Sequence, residues 1–170
     1  MINWDEFDHI HVIKKLKQIL GAWWSIDVVF TDERGYLRGF DKTKNQSFNP
    51  AVNTYLAKDA GAENFSGLVT KALDDMRLSE NRYSFRKWEM AGFDVAVFPI
   101  MIDNDVMGSV VAMGFFKDQA TPQRLEEIRE RLAAFGASSD VIEASLSKFK
   151  YLDDADREHF SELVDLVAQE

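Results

Sequence analysis

The chain has 170 residues, 46% of them hydrophobic, which suffices for one ordinary globular domain with a real core. Its 29 acidic residues outnumber its 20 basic ones, giving a net charge of −9 that argues against a nucleic-acid binder, which needs a basic stripe. The absence of cysteine excludes disulfides, thiolate metal sites and a cysteine nucleophile.

No apolar run approaches the ~20 residues that span a bilayer. The opening Met1–Ile10 is acidic and lacks the basic n-region of a signal peptide. The expectation is a cytoplasmic protein with no membrane partner.

A helix is expected over about 4–21. Asn3 can cap it, with Glu6 at the capping-box position, and Gly21 is the expected stop. Trp4, Phe7, Ile10, Ile13, Leu16 and Ile19/Leu20 form one apolar stripe at helical spacing. Strands are expected near 26–31 and 36–40, joined by Asp32-Glu33-Arg34-Gly35, with glycine where a positive φ is needed. Asn49-Pro50 starts a short helix that ends near Gly61, and Ser66 caps another over Gly67–Leu78.

A third strand is expected over 82–90, with a turn at Ala91-Gly92. Two longer strands, 93–102 and 106–116, follow, and Asp103-Asn104-Asp105 turns between them. Phe93, Val95, Val97 and Met101 alternate with Ala96, Phe98, Ile100 and Ile102. In the partner strand Val106, Val110 and Phe116 are expected on one face, with Met107, Val111, Met113 and Phe115 on the other. Both faces are apolar, so both must be covered. Gly108, Ala112 and Gly114 leave room on one face for a close helix or a bound molecule. Helices are expected over 122–135, from Ser138 or Ser139 to Phe149, and from a cap at Asp153 to Glu170.

The expected fold is therefore one α+β domain over 1–170: a five-stranded antiparallel sheet in the PAS/GAF order 2-1-5-4-3, with helices on both faces. Pro99 fits that sheet only at a strand tip or a bulge.

Four stretches resemble the PocR-type sensory domain, a GAF/PAS-like ligand-binding module. They are Ile26–Gly35 with its Asp32-to-Gly35 turn, and Tyr83–Phe93 ending in Ala91-Gly92-Phe93. The others are Phe98-Pro99-Ile100 followed by Asp103 and Gly108, and Leu132–Asp154 with Phe135-Gly136, Leu146 and Leu152. The cysteines that family members often carry have no counterpart here. The resemblance implies a sensor of small organic molecules, hydrocarbon derivatives among them, that feeds a downstream effector in a bacterial transcription regulator or signalling protein.

The residues themselves offer few catalytic candidates. There is no phosphate-binding glycine loop, GxSxG or HExxH. No acid–base pair can be named, so no enzyme, metal or cofactor is expected. His9 and His11 lie roughly 200° apart around a helix, too far to share one metal. Asp153, Asp154 and Asp156 read as a helix start.

For a ligand the expected contacts are Trp88 and Phe40, with Arg86 for a polar or anionic group. Phe85, Tyr83, Phe65, Trp24, Met101 and Met113 are further candidates, each of which could instead be core. Trp23-Trp24 is expected to send one indole to each side of the sheet. The terminal stripes, Trp4–Leu20 and Phe160–Val167, either cover one sheet face or join two copies in a homodimer. The alternative to a sensor is a structural or protein-interaction module whose pocket is filled by its own side chains.

Overall fold

A computed structural model of the chain describes residues 11–24, 26–40, 47–78, 83–116 and 121–169. The expected cap at Asn3 and the stripe residues Trp4, Phe7 and Ile10 lie outside them. The helices are α1 (His11–Trp24), α2 (Pro50–Leu56), α3 (Asp59–Arg77), α4 (Pro122–Ala134), α5 (Ser139–Lys148) and α6 (Asp154–Gln169). The strands are β1 (Asp27–Asp32), β2 (Leu37–Arg38), β3 (Ser84–Lys87), β4 (Asp94–Ile102), β5 (Asp105–Phe116) and β6 (Lys150–Tyr151).

The sheet runs β2-β1-β5-β4-β3, antiparallel throughout, as the two-sided apolar pattern of β4 and β5 requires. The short β6, unforeseen, adds a parallel pair to the end of β5 at Phe115–Phe116. Pro99 pairs Ser109 of β5, on a part of β4 that lies beyond the end of β3. Its missing N–H therefore costs no bond on that side.

The helices divide between the two faces. α2, α3, α4 and α5 cover Phe93, Val95, Val97, Val111 and Met113. α1 and α6 cover Ala96, Phe98, Ile100, Val110 and Ala112. Ile13 and Leu16, each 3% exposed, pack on the sheet beside Phe160 and Val164, so this part of the terminal stripes is intramolecular core. α6 also occupies the room left by Ala112: Phe160 meets the rings of Phe98 and Phe115 edge-on.

Two β-bulges in β5 correct the expected alternation. Met107 is the extra residue between the pairs Met101–Val106 and Ile100–Gly108. Gly114, at φ 94, is the extra residue between Val95–Met113 and Asp94–Phe115. The second bulge reverses the parity, so Phe115 joins the α1/α6 face and Phe116 the other. Gly114 serves the bulge and not a row of small residues.

Three helix boundaries also differ from expectation. α1 passes through Gly21 to Trp24; Gly21 has ordinary helical backbone and packs closely on the Phe48 ring, which a Cβ there would approach to 3.2 Å. Both tryptophans then sit on its last turn, Trp23 66% exposed and Trp24 against Phe160, so they do not straddle the sheet. α3 starts at Asp59, with Gly61 inside it because a Cβ would meet the Tyr55 carbonyl oxygen at 2.0 Å. Ser66 is likewise mid-helix, and its hydroxyl donates to the Arg34 carbonyl 3.1 Å away instead of capping.

That bond holds the first hairpin to α3. Gly35 needs its φ of 81 and has no space for a side chain, since a Cβ would lie 2.5 Å from the Ser66 carbonyl oxygen. Asp32 closes the same turn by accepting from the backbone N–H groups of Arg34 and Tyr36 and from the Arg38 guanidinium. Both edge strands are shorter than expected: those expected over 36–40 and 82–90 are only Leu37–Arg38 and Ser84–Lys87.

Candidate functional site

The shortness of β2 creates the site. β2 pairs β1 only at Phe30–Arg38 and Thr31–Leu37, so among the described residues no strand flanks the outer edge of β1 from Asp27 to Val29. A cavity of about 280 Å³ opens there. Its walls are Ile26 and Asp27–Phe30 of β1, Lys17 and Gln18 of α1, Arg38 of β2 with Gly39 and Phe40 after it, and Ser47, Phe48 and Val52. A second cavity of about 270 Å³ lies beside Tyr36, Leu37, Leu56 and Glu63, and Phe40 lines both.

Asp27 organises the first cavity. It interrupts the apolar run of β1, is buried, and accepts backbone N–H bonds from Phe48 at 2.5 Å and Asn49 at 2.8 Å. Burial pushes its carboxyl up to about 6, while the two N–H groups and the charges of Lys148 and Lys17 pull it down. Asn49 in turn caps α2 by accepting from Ala51 N–H and donates its side-chain N–H to the Ser145 carbonyl of α5 at 3.3 Å. Lys148, on the last turn of α5, donates to the Phe48 carbonyl at 2.9 Å and stands over the Phe48 ring. One cavity wall is thus bonded to β1 on one side and to α5 on the other.

Of the residues expected at a ligand, Phe40 alone lines this cavity. Trp88 does face α2 and α3, but it is 1% exposed and packed among Tyr55, Phe65 and Phe93, with its indole N–H donated to Asn64 at 2.7 Å. Phe65 and Met113 are buried in the same core. Arg86 pairs with Asp75 of α3 at 2.6 Å and lines neither cavity.

Phe85 faces the opposite side of the sheet, against Phe115 and Phe160. Tyr83 stacks beside Phe98 on that side, and Trp24 bonds Asp156 there at 3.3 Å. Met101 is exposed, next to the β4–β5 turn. The nine expected residues are therefore spread over two faces and the rim.

Asp27, Phe48 and Asn49 were missed. The available signal was an acid inside the run Ile26–Thr31, which a buried strand tolerates only when the acid has dedicated partners. The cluster at Asp153, Asp154 and Asp156 is the helix start it was read as: Asp153 accepts from Asp156 N–H at 2.8 Å. Among the described residues no group of three His, Asp or Glu side chains is placed to hold a metal ion.

Five antiparallel strands in the order 2-1-5-4-3, layered by helices on both faces, define an α+β domain of PAS/GAF-like architecture with its open space at the β1 edge. Compared with protein-family models, curated proteins and solved structures, the chain matches none of them. Among the described residues no helix is long and apolar enough to cross a membrane.

Proposed function

We propose that the chain is a non-catalytic, cytoplasmic sensor domain for small organic molecules, the input module of a regulator, read by a downstream effector through its terminal helices. The observation that carries this reading is the bonded link from the cavity wall to α5, which leads along the chain into the last helix. Phe48 and Asn49 hold Lys148 and Ser145 of α5, and α6 begins at Asp154, only a short strand later. A ligand that displaces Phe48 changes what α5 is tied to, and so biases two arrangements of α6 against α1. A homodimer through the terminal helices uses their outer surfaces, where Trp23 is exposed, because Ile13 and Leu16 are spent on the sheet.

The test is a thermal-shift screen of small organic molecules, with hydrogen exchange on each hit. A true input raises the melting temperature and changes exchange in both 47–49 and α6. A hit that protects the cavity wall and leaves α6 unchanged makes the domain a binder without output, and the sensor reading falls.

A second reading, a protein-interaction module with a self-filled interior, is favoured by one observation. Tyr55, Phe65, Trp88 and Phe93 occupy the space between the sheet and the middle helices. Under that reading no small molecule shifts the melting temperature, and binding is found only to proteins.

A further inference from the structure

We propose that the cavity at the β1 edge takes a small apolar carboxylate, an organic monoanion with a hydrocarbon body. This rests on the sensor reading above and adds the chemical class of the ligand.

Size comes first. A volume of about 280 Å³ corresponds to roughly ten water-sized units at ~30 Å³ each, and so to a ligand of about that many non-hydrogen atoms. The walls then decide what those atoms are. Val28, Val29, Val52, Phe40 and Phe48 offer hydrocarbon and ring surface, which suits an apolar body.

The polar end is chosen by charge. Lys17 and Arg38 both line the cavity, and Arg38, with its side chain 48% exposed, is braced by Asp32 at 2.8 Å. Lys148 adds a third cation behind Phe48. Asp27 is the only acid of the lining among the described residues, and its two carboxylate oxygens are already engaged by the N–H groups of Phe48 and Asn49. An ammonium group would have to compete with those backbone donors, and it would meet the cations first. A carboxylate meets Lys17 and Arg38 with its apolar tail between the two phenyl rings. Two cations in the lining of one cavity are notable on a chain of net charge −9.

Matched trios test this: hexanoate, hexanol and hexylamine, then benzoate, benzyl alcohol and benzylamine, titrated by calorimetry and thermal shift. Two variants accompany the wild type. Lys17→Glu reverses a charge in the cavity wall, and Gln18→Trp covers the mouth from an exposed helix position; the melting temperature of each without ligand checks that it is folded. The acids are expected to bind at least tenfold more tightly than their alcohols and amines, to lose tenfold or more in Lys17→Glu, and to lose all binding in Gln18→Trp. An amine or alcohol that binds as well as its acid, with Gln18→Trp still blocking it, overturns the ligand class and leaves the sensor reading standing. Acid binding unchanged by Lys17→Glu overturns it too. No shift by any member, or shifts that Gln18→Trp does not touch, removes this cavity as a sensor site and the proposal with it.

Discussion

The interior around Trp88 and the cavity around Phe48 lie on the same domain, and both are rich in aromatic rings, yet one is full and the other is open. Three neighbouring segments converge at Trp88, which directly follows β3: its ring centroid sits 5.5 Å from that of Tyr55 of α2 and 5.2 Å from that of Phe65 of α3, as in packed aromatic clusters. At Phe48 the pairing is shorter: β2 stops after Arg38, and Asp27 of β1 holds the backbone N–H groups of Phe48 and Asn49. Space for a ligand arises from where strand pairing ends and not from which residues are aromatic.

The sharpest way to break that comparison is Trp88→Ala. If the interior is solid core, the variant leaves a large cavity and loses about 3–5 kcal/mol of stability in chemical denaturation, a change that many single domains do not survive. If Trp88 lines a ligand space instead, as its place beside Ala91-Gly92 suggests from sequence, the variant folds with stability close to the wild type.

The second test is on the open side and concerns pH. Asp27 has a carboxyl raised to about 6 in the folded chain against an ordinary value of 3.8. The folded state therefore holds a proton that the unfolded state has released. Stability from this group is fully present below about pH 4 and is lost as pH rises through about 6, by on the order of 3 kcal/mol at most. Measured as the difference between wild type and Asp27→Asn, stability should fall over that window and then level off. A flat difference would mean that Phe48 and Asn49 hold the carboxylate well enough to cancel its burial.

What the sequence made legible follows from the same contrast. Alternation in β4 and β5 required a two-sided sheet, and the order 2-1-5-4-3 follows once β5 is central. Proline at Pro50 and Pro122, and Gly136 after α4, marked helix ends because each acts locally. The errors came where a residue served a distant neighbour. Gly21 and Gly61 are small for Phe48 and for the Tyr55 carbonyl, and Ser66 bonds a turn 32 residues away in sequence. The cavity was not legible for that reason: alternation could place Trp88 and Phe85 on opposite faces, but no pattern along the chain brings residue 27 to residue 48.

The smallest effect asks whether the full interior is as full as its rings imply. The Tyr55 hydroxyl is buried without a hydrogen-bond partner among the described residues, at the centre of contacts with Trp88, Phe93 and Phe135. Burial also pushes its phenol up, so it stays neutral across the working pH range. A buried hydroxyl with no partner costs roughly 1–3 kcal/mol, whereas the ring beneath it stabilises by packing. Tyr55→Phe keeps the ring and removes the orphan, so stability should rise by about 1 kcal/mol in urea denaturation, with the acids of the trios binding as before. A loss of similar size would mean that the hydroxyl has a partner inside the cluster. The aromatic interior would then contain a polar site of its own, and the contrast with the β1 edge would be one of degree.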